Sequence, residues 1–138
     1  MLPTDGFDRR RHNVSAMHVH LVFVAKYRRK VFDAAALDRM RNLFGNTCRA
    51  LKADLVEMEG ERDHVHLLVR YPPALSIAAL VRRLKGAASR LLRAVRPDIA
   101  QRLRKGVLWS PSYFATSCGG APIAIIRQYI EQQNAPIN

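Results

Sequence analysis

From Met17 to Lys26 the chain alternates. Val19, Leu21, Phe23 and Ala25 take one face of an extended strand, and His18, His20, Val22 and Val24 take the other. Apolar residues on both faces predict a central strand. The period then lengthens. Asp33 is the expected N-cap of a helix running to about Lys52, with Leu37, Met40, Leu43 or Phe44, Thr47 and Ala50-Leu51 as its apolar stripe. Ala53 to Glu59 returns to alternation, and Gly60-Glu61-Arg62-Asp63 turns the chain into Asp63-His64-Val65-His66-Leu67-Leu68-Val69, closing a hairpin before Tyr71-Pro72-Pro73. Ser76 caps a second helix to about Val95, which presents Ile77, Leu80-Val81, Leu84, Ala88, Leu91-Leu92 and Val95 to a core, and Pro97 stops it. A last strand is expected within Leu108 to Cys118, around Ser112–Thr116. After Gly119-Gly120 a final helix should run from Ala121 to about Asn134.

The order βαββαβ plus one helix predicts an α+β fold: a four-stranded antiparallel sheet with two helices on one face, ferredoxin-like or RRM-like. The first and third strands should be adjacent and central, with the histidines on the helix-free face. Residues 15–138 are expected to form one domain behind a polar, basic arm over residues 1–14. No repeat or low-complexity tract interrupts the chain.

Charge changes the picture more than length does. Lysine and arginine total 23 against 11 acids, a net charge of +12. Most of these bases are arginine, whose planar fork suits phosphate, so a nucleic acid is the expected partner. No basic stretch carries the bulky apolar anchors of a membrane-surface helix. No run approaches the roughly 20 apolar residues of a membrane span. Met1 to Arg11 lacks the apolar core of a secretion signal, which points to the cytoplasm. Cys48 and Cys118, without metal-type spacing, read as free thiols in a reducing compartment.

The candidate chemistry lies on the third strand and the last helix. His64 and His66 share a strand face with Cα atoms roughly 6.5–7 Å apart, close enough for two imidazoles to hold one cation. On their own, two solvated histidines would be the commoner meaning of such a pair. Tyr129 and Gln133 are spaced i, i+4 on the last helix and reach one neighbourhood. Gln133 offers an amide oxygen, and Tyr129 a phenol that becomes a nucleophile on deprotonation. Two imidazoles and one amide oxygen suit Mg²⁺ or Mn²⁺ better than a structural zinc. Lys26-Tyr27-Arg28-Arg29-Lys30 combines phosphate-gripping cations with an aromatic for base stacking, and Arg82, Arg83 and Lys85 stand off the second helix's apolar stripe. A solvated face accounts for either cluster equally well.

Taken together, these segments resemble the HUH superfamily, and within it the single-tyrosine transposases of small insertion sequences that move as single-stranded DNA. The resemblance runs from about His12 to Asn134. Its parts are the opening strand from His20 to Phe32, the Asp63–Val69 motif, the Leu80–Gly86 helix segment, Trp109–Phe114 and the Ile126–Gln133 helix. It implies a metal at His64, His66 and Gln133, and Tyr129 cutting DNA through a 5′-phosphotyrosine. The strand order itself sets His18 and His20 beside the His64 strand, with His20 as a candidate neighbour of the metal pair. It also implies hairpin-ended single-stranded DNA as partner and a homodimer that shares its active sites between subunits. Two other readings remain open: a non-catalytic RRM-like binding module, and a host-domesticated nickase of the same family.

Overall fold

The computed structural model describes residues 17–118 and 123–132, with side chains of 118, 126 and 129–132 excepted. The arm expected over residues 1–14, Gly119-Gly120 and Gln133 lie outside the described residues.

Four strands form one antiparallel sheet in the order β2-β3-β1-β4: β1 Met17–Val24, β2 Asp54–Gly60, β3 His64–Tyr71 and β4 Phe114–Cys118. The strand apolar on both faces is central, as its composition requires. Val19, Leu21 and Phe23 of β1, with Val65, Leu67 and Val69 of β3, point into an apolar core beneath helices α1 (Ala34–Ala50) and α2 (Ile77–Val95). Those helices contribute Met40, Phe44, Leu80, Leu84 and Leu92, all fully buried. Cys48 belongs to this core as a free thiol, and burial pushes its pKa up to about 12. No helix among the described residues is long and apolar enough to cross a membrane.

Both long helices start where their caps require. Asp33 accepts from the Ala36 N–H at 2.9 Å, and Ser76 from the Ala79 N–H at 3.1 Å. Beyond Pro97 the chain is more ordered than proline alone suggested. A short α3 (Pro97–Ala100) and a tight turn at Arg104–Gly106 lead to Trp109, which packs edge-on against Phe23 at 5.7 Å. Trp109 bridges to Ala25, and its indole N–H donates to the Lys85 carbonyl at 3.0 Å.

The helix-free face foreseen for the histidines is not free. Helix α4 (Ile123–Gln132) lies on it, touching β2 and β3. Val22 and Leu68, which point to this face, are buried, as is Ile123 of α4. An apolar patch on a sheet face draws the nearest amphipathic helix over it.

Asp33 serves both ends of the helix layer, capping α1 while it takes both guanidinium nitrogens of Arg96, at the end of α2, at 2.7 and 2.8 Å. Asp33→Ala is expected to lose about 1 kcal/mol from the cap alone, seen as a lower urea midpoint, and Asp33→Asn, which keeps a capping oxygen, less.

Candidate active site

The register of β1 against β3 places Val22 opposite His66 and His20 opposite Leu68, so His20 stands diagonal to His66 on the α4 face. The two rings stack with centroids 5.2 Å apart and planes at 11°, and His20 Nε2 lies 3.1 Å from His66 Nδ1. His64 meets His66 edge-on at 5.0 Å. Its Nδ1 is 2.7 Å from Oδ1 of Asp63. In both rings of the H-x-H pair, therefore, Nδ1 is committed to a neighbour, and Nε2 is the edge a cation would take.

Burial, then the Arg127 charge, depresses the pKa of His20 to about 4, with Glu59 opposing the shift. Burial, then His20, His64 and Arg127, lowers His66 to about 3. Both imidazoles are neutral at physiological pH, the state in which imidazole binds metal. His20 Nδ1 is buried with no hydrogen-bond partner among the described residues. Asp63 pays a desolvation penalty that raises its pKa, but the hydrogen bond from His64 and the charge of Arg28 outweigh it and keep the carboxyl below its ordinary value.

Beside the histidines lies a cleft of about 550 Å³, lined by Arg28, Lys30, Glu61, Arg62, Asp63, His64, His66 and Arg127. Arg28 and Lys30 come from the basic cluster after β1, so part of that cluster reaches the site. Tyr27 projects into solvent, 63% exposed, with Lys26 Nζ 5.5 Å and the Arg29 guanidinium 5.9 Å from its ring centre. Arg82 and Arg83 are exposed on α2, in the layer on the opposite side of the sheet. Lys85 is engaged structurally: its ammonium donates to the Ser110 carbonyl at 2.8 Å, and burial lowers its pKa.

Helix α4, which carries Tyr129 in its backbone, lies on the same face, and its seat is specific. The backbone N–H of Ile123 donates to Glu57 at 3.0 Å, and Arg127 pairs with Glu59 and, at 3.8 Å, with Glu61. Glu57 and Glu59 alternate along β2 on the histidine side. A carboxylate at a helix start also meets the positive end of the helix dipole. The side chain of Tyr129 and all of Gln133 lie outside the described residues. Sequence patterning set Asp63 in the Asp63–Val69 motif without giving it a role, and gave no part in the site to Arg127 or the β2 glutamates. The one available signal was acidic residues at alternate positions of an edge strand, in a chain otherwise rich in bases.

A ferredoxin-like sheet with a histidine pair on one face, and a tyrosine-bearing helix laid over that face, defines a class: the single-tyrosine HUH transposases. Within it, residues 13–133 match the IS200-like transposase family, and the chain belongs to that family. It is 32% identical over 121 residues to the ISDra2 transposase TnpA of Deinococcus radiodurans, covering 88% of this chain and 86% of that one. It is 29% identical over 114 residues to the IS200 transposase of Salmonella typhimurium, covering 83% and 74%. A Deinococcus radiodurans crystal structure assigned as a transposase superposes with a TM-score of 0.76 at 32% identity, over 94% of this chain and 99% of that one. A REP-associated tyrosine transposase bound to a REP hairpin shares the fold, with a TM-score of 0.58 at 13% identity over 92% and 73% of the two chains.

Since His20 and His66 titrate in the fold below the ordinary 6.5, the unfolded chain takes up protons that the native state refuses as pH falls from about 6.5 towards 4. Stability should decline across that window, and thermal melts from pH 7.5 to 4.5 will show it. His20→Gln should flatten the pH dependence by about one proton.

Proposed function

We propose that this transposase cuts and rejoins single-stranded DNA, with Tyr129 as the nucleophile and His64, His66 and Gln133 as ligands of one Mg²⁺ or Mn²⁺. The observation that carries this reading is the His64–His66 pair: both Nδ1 atoms are taken by neighbours, at the edge of a cationic cleft. The donor set fits a divalent ion, with two imidazoles from one strand face, no thiolate among the described cleft residues, and an amide oxygen expected from Gln133. When bound, the ion would polarise the scissile phosphate and offset the charge that develops on it.

The chain's own groups do the rest. The phenolate oxygen of Tyr129 bonds to phosphorus, the bond to the 3′ oxygen breaks, and that oxygen leaves as a 3′-OH once protonated. The 5′-phosphotyrosine conserves the bond energy, so a second 3′-OH can reverse the step on another strand without ATP. Arg28 and Lys30 in the cleft draw in the backbone of the cut strand, and Tyr27 and Arg29 extend that surface. Arg82 and Arg83, on the far layer, serve only DNA that runs past the cleft, such as a hairpin stem. A non-catalytic RRM-like module would present several stacking aromatics on the sheet face. Among the described strand residues this face carries His20, His64 and His66 with one aromatic, Phe114, edge-on to His20 at 6.4 Å.

The protein is proposed to act as a homodimer whose two sites match two DNA ends. In this fold α4 rests on its own sheet. Its anchors at Glu57 and Glu59 would serve a partner's helix equally well, so sharing sites requires exchange of helices and no new surface.

Three outcomes test this reading. His66→Ala and Tyr129→Phe should each abolish cleavage of a labelled oligonucleotide while hairpin affinity stays within a few fold, and full cleavage by His66→Ala would remove the metal assignment. Mixing inactive Tyr129→Phe with inactive His64→Ala should restore some cleavage if sites are shared; no recovery despite proven subunit exchange leaves the cis arrangement. Arg28→Ala and Lys30→Ala should each reduce the slope of log K against log salt by roughly 0.7 for single-stranded DNA, whereas Arg82→Ala with Arg83→Ala should lower it only on DNA long enough to pass the cleft.

A further inference from the structure

Asp63 directly precedes the histidine pair, and its two carboxylate oxygens are engaged by different elements. Oδ1 lies 2.7 Å from Nδ1 of His64, and Oδ2 accepts from Nε of Arg28 at 3.1 Å. The Asp63 and His64 side chains are each only 13% exposed, so their contact is shielded from competing water, while Arg28 reaches Asp63 from an exposed position. Backbone bonds reinforce the junction. Ala25 N–H donates to the Asp63 carbonyl at 2.8 Å, and Phe32 N–H to the Arg62 carbonyl at 2.9 Å. Between those two bonds the chain holds Tyr27 and Arg28 at φ of 61° and 52°, a left-handed conformation that bulky residues adopt only where the surroundings impose it. The contact between Arg28 and Asp63 is one such imposition.

We propose that Asp63 is a positioning residue that sets the His64 ring for metal binding and ties it, through Arg28, to the basic turn that meets DNA. The proposal rests on the reading of His64 and His66 as a metal pair. An ionised carboxylate can only accept, so the proton of a neutral His64 sits on Nδ1 and the Nε2 lone pair is left for the cation. The same hydrogen bond fixes the ring's rotation and strengthens it as a donor. Arg28 takes the second oxygen and stops the carboxylate from turning away. His66 is held differently, by the neutral His20 ring, so of the two ligands His64 has the charged support.

An amide in place of the carboxylate separates this role from simple packing. His64 Nδ1 and Arg28 Nε lie on different carboxylate oxygens. An Asp63→Asn side chain has an NH2 donor in place of one of them, so it keeps an acceptor for only one of the two partners where they stand. The experiment is a calorimetric titration of the full chain with Mn²⁺, paired with ¹⁵N spectra of the imidazoles recorded without metal. In the native protein His64 should show the Nδ1–H tautomer. Asp63→Ala should shift it towards Nε2–H and weaken Mn²⁺ binding about 10- to 100-fold. Asp63→Asn, the milder change should the alanine variant not fold, should lose less. Adding Arg28→Ala to Asp63→Asn should recover part of that loss, because the single oxygen is then free for His64. A merely structural aspartate would give neither the tautomer shift nor the recovery. Mn²⁺ affinity that falls in His64→Ala but is unchanged in both Asp63 variants overturns the role of Asp63 alone. A native protein that binds Mn²⁺ no better than His64→Ala overturns the metal reading, and this proposal with it.

Discussion

The antiparallel pairing of β1 with β3 is the contact on which both faces of the sheet depend. Its register sets Leu21 opposite Leu67 and Val22 opposite His66. Side chains alternate, so a slip of one residue in β3 would carry Val65, Leu67 and Val69 to the α4 side and drive His64 and His66 under α1 and α2. Each aliphatic side chain removed from the core would forfeit roughly 1.5–3 kcal/mol, and each imidazole buried without a partner would cost about 1–3 kcal/mol more. The core therefore specifies the register, and the site inherits its geometry from the core. His20 reaches His66 only because of that register.

The scarce acids sit where they hold structure together. In a chain with 11 acids against 23 bases, Asp33 joins α1 to α2, Asp63 joins the basic turn to β3, and Glu57 and Glu59 seat α4 on the sheet. Each carboxylate meets a backbone N–H, a guanidinium or an imidazole. Exposed pairs of this kind contribute little individually. Their effect here is geometric: they decide which cations stay folded inward and which remain for a polyanion. Arg96 and Arg127 are paired, while Arg82 and Arg83 face solvent from the far layer.

This division gives the basic surface two parts with different access to the site. Arg28 and Lys30 line the cleft beside His64 and His66, and the turn that carries them is stitched by backbone bonds to the strand that carries the histidines. The α2 arginines have no such link. Under the proposed function, the cleft cations would place one phosphate and the α2 arginines would hold DNA beyond it, on opposite sides of the sheet.

Much of the fold was legible in the chain, because alternation and helical spacing are local properties. The central place of β1, the Asp33 and Ser76 caps and the shared face of His64 and His66 all follow from spacing of a few residues, and the structure bears them out. Tyr129 was singled out by its spacing to Gln133, and the structure puts its helix on the histidine face. What spacing could not reach are contacts between segments far apart in sequence. The closure of α4 over the sheet and the engagement of Lys85 by Ser110 are such contacts. For His20, whose place beside the pair follows from the strand order, only the packing shows the stacked ring contact with His66. Lys85 reads as one more surface cation in a helical pattern, yet its partner arrives from a loop that has no periodicity. Local pattern determines which face a residue takes; only the packing of distant elements decides what that face meets.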